Sequence, residues 1–191
     1  MRKNYFSNTL KMLLAVVFSC VFMSVWAQSE IHVEKAGTLP SLLPTSENTL
    51  KITGSINGTD VKHLRKLISE GSVNSLDLSG VRIVKGGSAY DGTNKTEDDI
   101  IGPTMFKNFT NLRSVELPAT ITAIRSQAFA ATGLKKVDIP NTVSTLEDHV
   151  FADCSFLNTV VIGRRVSRMH QGVFYNSPVK TAFVKPETPP T

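Results

Sequence analysis

The amino-acid sequence predicts an α/β-type solenoid. In such a fold short coils stack on one another, with short parallel strands on one side and a mostly irregular convex side, behind an N-terminal cap that carries one helix. Two observations lead to this prediction. A unit of 22 or 23 residues recurs along the second half of the chain, and apolar residues fall at the same positions of every unit. Each unit is too small to bury a core alone, so stacked coils must cover one another.

The repeat aligns on Leu112, Leu134, Leu157 and Val179, which are separated by 22, 23 and 22 positions. Positions four, six, ten and thirteen of the complete units are apolar, and position eighteen is always phenylalanine. The repeat region at 73–191 comprises a degenerate unit at 73–111, complete units at 112–133, 134–156 and 157–178, and a partial unit at 179–191.

An insertion at 85–99 interrupts the degenerate unit. It is rich in Gly, Ser, Thr, Asp and Asn, the residues that favour turns and solvent. We therefore expect residues 85–99 to form a protruding surface loop.

Residues 28–72 are predicted to form the N-terminal cap. Turn-forming residues and short alternating stretches indicate one or two short strands in its first part. Apolar residues every three or four positions then predict a helix near 60–70. Thr59 or Asp60 is its expected N-cap, and Gly71 stands at its C-terminal stop.

Residues 1–27 have the pattern of a secretory signal peptide. Three basic residues precede Met12 to Ala27, a stretch of 16 residues without charge that is short for a membrane span. Small or short side chains at the −3 and −1 positions predict cleavage before Gln28. An uncleaved anchor and a lipid on Cys20 are the alternatives. The predicted location is the cell surface, the outer envelope or the medium, with no membrane span after cleavage.

Cleavage changes the charge and the cysteine count of the chain. Loss of Arg2, Lys3 and Lys11 leaves 18 basic and 16 acidic side chains, so the formal charge falls from +5 to +2. The cleaved chain therefore lacks the large excess of basic charge that favours nucleic-acid binding, and we expect no nucleic-acid partner. Cys154 becomes the only cysteine, which excludes an intrachain disulfide.

The repeat resembles a known family. Leu-x-x-Val-x-Leu-Pro-x-x-Ile-x-x-Ile-x-x-x-Ala-Phe at 112–129 is similar to the BspA-like (Treponema-type) leucine-rich repeat of bacterial surface proteins. The resemblance implies an exported, non-catalytic protein that serves protein–protein interaction or adhesion. Two departures are Gly163-Arg164-Arg165, which replaces the usual proline turn, and the end of the chain inside the fourth unit.

The side chains at positions two, three and five of each unit are predicted to form an exposed concave surface, which we call the strand face. Val161 and Phe183 are apolar at such positions and have basic residues around them, a combination typical of a binding hot spot. A merely solvated face with a frayed last strand is the alternative. The candidate binding residues are Arg113, Glu116, Lys135, Lys136, Asp138, Val161, Arg164, Arg165 and Phe183.

We expect no enzyme, because no catalytic, cofactor-binding or metal-binding motif is found. The four histidines lack metal-ligand spacing, and Cys154 is interpreted as a small buried hydrophobe. The expected partner is a host or bacterial surface protein. The alternatives are a carbohydrate-binding accessory role in envelope polymer uptake, in which Tyr90, Tyr175 or the Phe residues stack on sugars, and self-association through an uncapped C-terminal repeat.

Overall fold

The computed structural model describes residues 30–42 and 48–185, which form a parallel β-solenoid with one helix. The predicted signal peptide lies outside the described residues. The described strands are β1 (Glu30–Val33), β2 (Thr49–Ile56), β3 (Ser75–Ile83), β4 (Ile100–Ile101), β5 (Ser114–Glu116), β6 (Ala123–Ile124), β7 (Lys136–Asp138), β8 (Thr145–Leu146), β9 (Thr159–Ile162), β10 (Arg168–Met169) and β11 (Thr181–Val184). The helix α1 spans Gly58–Ser69, and a 3-10 turn covers Leu39–Ser41. The predicted solenoid is confirmed.

The described strands pair in parallel and belong to three sheets. Their orders are β1-β2-β3-β5, β7-β9-β11 and β10-β8-β6-β4. Strands β1 and β2 of the predicted cap thus share a sheet with β3, the first strand of the repeat region. Strands β5 and β7 are neighbours, but the described pairing does not join them, so the strand face is made of two sheets placed side by side.

A column of stacked phenylalanine rings runs through the coils at position eighteen. Phe106 and Phe129 have ring centroids 5.2 Å apart, Phe129 and Phe151 are 5.4 Å apart, and Phe174 follows at 5.7 Å. The rings are nearly parallel, with interplanar angles of 8–14°. The first three side chains are almost fully buried. Phe129 and Phe151 each lie between two rings of this stack.

Turns take the place of helices on the convex side, and hydrogen bonds link these turns from coil to coil. The amide of Phe129 donates to Val150 at 2.9 Å, and that of Phe151 donates to Val173 at 2.8 Å. Each coil places two residues in the left-handed region. The first set is Thr104, Gln127, His149 and Gly172, and the second is Asn108, Ala131, Asp153 and Asn176.

Replacing Ala131 by glycine is expected to stabilise the protein by about 0.5–1 kcal/mol. The φ of Ala131 is 55°, which costs a residue with a Cβ about 1–2 kcal/mol of strain. Glycine removes this strain, but its greater freedom in the unfolded chain offsets part of the gain. Urea unfolding measures the change. Ala130→Gly is the control, since Ala130 is buried without a positive φ and its replacement should destabilise. Equal destabilisation by both variants would contradict the assignment of strain.

The N-cap of the helix lies two or three residues earlier than expected. Its N-cap is Asn57, not Thr59 or Asp60, because Asn57 has an extended backbone and its side-chain oxygen accepts from the Thr59 amide at 2.9 Å. The Asp60 carboxylate instead accepts from the Asn57 amide at 2.9 Å. At the other end Gly71 has a φ of 78°, and the Ser72 amide donates to Leu67.

The insertion at 85–99 does not protrude as expected. Tyr90 is only 2% exposed, and its hydroxyl donates to the Pro103 carbonyl at 2.7 Å. Thr104 donates to the Asp91 carboxylate at 2.6 Å. Burial acts to raise the pKa of Asp91, but hydrogen bonds from Thr104 and Asn94 outweigh it and hold the pKa well below its usual range. The segment therefore folds back against the solenoid, because its one large aromatic ring is buried there.

Candidate functional site

The strand-face side chains lie on β5, β7, β9 and β11 or just before them. Successive residues of a strand point to opposite faces, so the buried Val115, Val137 and Val160 alternate with side chains directed outward. The candidate residues Arg113, Glu116, Lys135 and Lys136 are exposed, and Asp138 is half-buried. The structure gives the positions and exposure of these side chains. That they bind a partner stays a prediction.

An apolar row occupies the C-terminal part of the strand face. In the parallel register Phe183 of β11 lies beside Val161 of β9, which in turn lies beside Asp138 of β7. Phe183 is 56% exposed and Val161 is half-buried. The next row consists of Thr181, Thr159 and Lys136, so the two apolar residues have threonines on one side along β9 and β11.

An open groove of about 400 Å³ lies at the carboxyl ends of these strands. It brings Glu116 and Asp138 together with Lys185, whose ammonium group forms an ion pair with the Asp138 carboxylate. Lys185 was not among the predicted residues. It stands two coils away from Asp138, and the ion pair requires the fourth coil to reach across the third, which the spacing of the repeat does not indicate.

A smaller cavity of about 120 Å³ lies where β5 and β7 fail to pair, and Glu116, Lys136 and Asp138 contribute to its lining. Glu116 and Asp138 therefore line both the groove and the smaller cavity. With Lys136 and Lys185 at their sides, these recesses offer hydrogen-bond acceptors and donors to polar groups of a bound molecule.

Arg113 is held by an aromatic side chain that the sequence analysis overlooked. Its guanidinium lies 4.9 Å from the ring centroid of Phe156, which is 52% exposed. Such a stack restricts the arginine while its polar edge stays in solvent. Phe156 precedes Leu157 in the longer, 23-residue unit, and that additional position was the available signal.

Arg164 and Arg165 lie in the turn that follows β9, outside the strand rows. Both side chains are exposed, and the Arg164 amide donates to the Asn141 side chain at 3.2 Å. They extend the basic charge of the strand face beyond the carboxyl end of β9, whereas Lys135 and Lys136 supply basic charge near its centre.

Groups with reactive or metal-binding chemistry do not converge in the part of the chain that the structure describes. No group of three or more His, Cys, Asp or Glu side chains there is arranged to hold a metal ion. His149 packs edge-on against Tyr175, and His170 lies 3.9 Å from Asp148. Cys154 is fully buried, with its thiol 3.2 Å from the Phe129 carbonyl, as expected of a structural residue.

Cys154 is expected to resist thiol reagents in the folded protein. Burial raises the pKa of its thiol, so the reactive thiolate is scarce at neutral and mildly alkaline pH. A disulfide reagent should label the folded protein at least roughly a hundredfold more slowly than the protein unfolded in urea, because labelling of the folded protein requires the core to open. Rapid labelling of the native protein at neutral pH would contradict this account.

The stack of parallel coils with an exposed strand face defines a leucine-rich repeat protein. Residues 94–188 match the family described as "BspA type Leucine rich repeat region", in six copies. This region of the chain therefore belongs to that family, as its repeat pattern predicted. Proteins with leucine-rich repeats are generally non-catalytic scaffolds that bind other proteins.

Two solved structures are similar to this chain. A leucine-rich repeat protein from Bacteroides ovatus has 17% identity and a TM-score of 0.44, over 79% of this chain and 37% of that chain. A leucine rich cell surface protein from Faecalibacterium prausnitzii has 14% identity and a TM-score of 0.28, over 81% of this chain and 64% of that chain. The chain thus spans less than two thirds of either structure. A comparison with curated proteins finds no match.

Within the described ranges, 30–42 and 48–185, no helix has both the length and the apolar character to cross a membrane.

Proposed function

We propose that the chain is an exported, non-catalytic binding protein that recognises a host or bacterial surface protein through the strand face. The observation that carries this proposal is the exposed apolar row formed by Phe183 and Val161. Contact of a large aromatic side chain with water is unfavourable, so covering it with a partner lowers the free energy of the complex.

The surroundings of this row support a protein partner. Lys136 and the exposed Lys180 supply positive charge, and Glu116 supplies negative charge at the groove. Binding hot spots commonly consist of an aromatic anchor inside a polar rim. Mixed charge around the anchor favours a partner with its own pattern of opposite charges, which sets the orientation of the complex.

The arrangement of aromatic residues favours a protein over a glycan. Tyr90, one of the residues considered for stacking on sugars, is buried and bonded to Pro103, so it is not available. Tyr175 is 64% exposed but lies in a convex turn, whereas Phe183 lies on the strand face. Tyr175 and Phe183 therefore do not share one surface, and Phe156, a further exposed ring, is already stacked on Arg113.

Export is part of the proposal and rests on the signal-peptide pattern of residues 1–27 and on the family resemblance. The intact mass of the protein recovered from the envelope or the medium tests it. We expect a chain that begins at Gln28. A recovered chain that begins at Met1 in the cytosol contradicts export.

The binding proposal is tested by immobilising the protein and offering it solubilised surface proteins of host cells and of the bacterial envelope. We expect saturable retention of a protein that Phe183→Glu weakens about thirtyfold or more, the effect of losing a hot spot of about 2 kcal/mol. Tyr175→Glu is the matched control, because it changes an exposed aromatic residue on the other side. Equal retention by both variants, or no saturable retention, contradicts the proposal.

A further inference from the structure

Arg113 stacks on Phe156, the last residue of the next unit, and Gly133 leaves the space for this contact. A Cβ atom at position 133 would lie 3.0 Å from a guanidinium nitrogen of Arg113 and 2.1 Å from the Thr110 carbonyl oxygen. Gly133 does not have a positive φ, so its backbone conformation does not require glycine. Glycine is required there by the space that Thr110 and Arg113 occupy, and it leaves the arginine a path to the ring.

The donors of the Arg113 guanidinium are not used within the described part of the protein, unlike those of a second stacked arginine. Arg65 lies 5.0 Å from the ring centroid of Phe109. Its guanidinium also donates to the carbonyl oxygens of Thr104 at 2.9 Å and Met105 at 2.6 Å. Among the described residues Arg113 has neither an ion pair nor a side-chain hydrogen bond. A stacked guanidinium keeps its edge in solvent, so Arg113 presents oriented donors to a molecule outside the protein.

The positive charge around Arg113 is not balanced at the same end of the strands. Lys135 stands at position two of its unit, as Arg113 does, and it is exposed without an ion pair among the described residues. Glu116 and Asp138 stand at position five, three residues or about 10 Å further along their strands. Asp153, in the neighbouring turn, accepts from an asparagine of the next coil instead. A separation of about 10 Å is close to the Debye length at physiological salt, so the acids of the strand face offset the two cations only weakly.

We infer that Arg113 and Lys135, with the Phe156 ring beside them, form a carboxylate subsite, and that its occupant is an acidic side chain of the protein that the strand face recognises. The edge of a guanidinium matches a carboxylate through two parallel hydrogen bonds. A polyanion, such as a nucleic acid or a sulfated glycan, needs a continuous basic surface. Here the neutral Asn158 follows at position two of the next unit, and the acids of the strand face lie on the same surface. The inference deepens the proposed function and rests on it.

The probe for the carboxylate subsite is a five-residue peptide of alternating alanine and glutamate with blocked ends, titrated against the full chain. NMR signals of the Arg113 Nε–H group and of the Phe156 ring report the binding. We expect saturable shifts of both signals, with an affinity at least roughly tenfold higher than that of the same peptide with glutamine in place of glutamate. The affinity should fall as salt rises from about 50 to 500 mM.

Arg164 is the internal control, because it is exposed and has no stacked ring among the described residues. We expect its Nε–H signal to shift less than that of Arg113 and without saturation. Equal shifts at the two arginines, equal binding of the glutamine peptide, absence of binding, or tighter binding of a sulfated oligosaccharide at Arg113 each overturn the inference.

Two matched variants separate this inference from the proposed function. Arg113→Lys keeps the positive charge but loses the planar edge and the stack, and Arg164→Lys makes the same change elsewhere. Both arginines are exposed, so both variants keep their core. We expect only Arg113→Lys to weaken the peptide, about tenfold, and to weaken retention of the surface protein. Retention that Phe183→Glu weakens and Arg113→Lys does not overturns the inference and leaves the strand-face proposal standing. Peptide binding that Arg113→Lys weakens, without saturable retention of any surface protein, supports the carboxylate subsite and contradicts the strand-face proposal.

Discussion

Replacing Phe129 by alanine is expected to lower the free energy of unfolding by about 3–5 kcal/mol, the range for truncating a buried phenylalanine. Phe129 is fully buried and stacks on both sides, against Phe106 at 5.2 Å and Phe151 at 5.4 Å. Its loss opens a cavity in the middle of the column that joins the coils. Urea unfolding monitored by circular dichroism measures the change.

The control for this variant is Phe156→Ala, which removes the same side chain from an exposed position. Its expected cost is below about 1 kcal/mol, since it makes no core contact and loses one stacked arginine. Similar costs for Phe129→Ala and Phe156→Ala would show that the phenylalanine column does not stabilise the solenoid.

Asp60→Ala is expected to destabilise the cap by about 3 kcal/mol or more, because it leaves one buried and two partly buried amides without their acceptor. The Asp60 carboxylate accepts hydrogen bonds from the amides of Gly37 at 2.6 Å, Leu39 at 2.9 Å and Asn57 at 2.9 Å. It thus joins the start of α1 to the 3-10 turn that precedes β2. Thermal unfolding and amide exchange of residues 37–39 measure the effect.

The matched control is Asp77→Ala. Asp77 accepts from the amide and the hydroxyl of Ser79, two residues further along the same strand β3, and both bonds are exposed to solvent. Water replaces such bonds, so we expect a loss below about 1 kcal/mol. Asp60→Asn, which keeps one acceptor oxygen, should lie between the two. A small effect of Asp60→Ala would contradict the conclusion that this carboxylate holds the start of α1 against the 3-10 turn.

The repeat region could be predicted closely because every coil packs against its neighbours through the same positions. A residue at position eighteen meets the equivalent residue of the coils on either side, so the recurrence of Phe129, Phe151 and Phe174 indicates their stack. The same reasoning identified Cys154 as buried and Phe183 as exposed. Periodicity thus predicts which side of a coil a residue faces.

Features that depend on contacts between different elements could not be predicted in this way. The insertion folds back because Tyr90 reaches Pro103, a contact that no repeat position encodes. Asn57 becomes the N-cap because the carboxylate of Asp60 binds the Asn57 amide and the cap turn at once. Lys185 reaches Asp138 across an intervening coil. Each of these contacts requires knowledge of the neighbouring backbone.

The most direct test of the proposed strand-face recognition is site-specific photocrosslinking. A photoreactive phenylalanine analogue replaces Phe183 in one sample and Tyr175 in another, and both are irradiated with the retained partner. We predict a covalent adduct from position 183 and none from position 175, since only the first lies on the strand face. An adduct from position 175 alone, or equal adducts from both positions, would contradict recognition by the strand face.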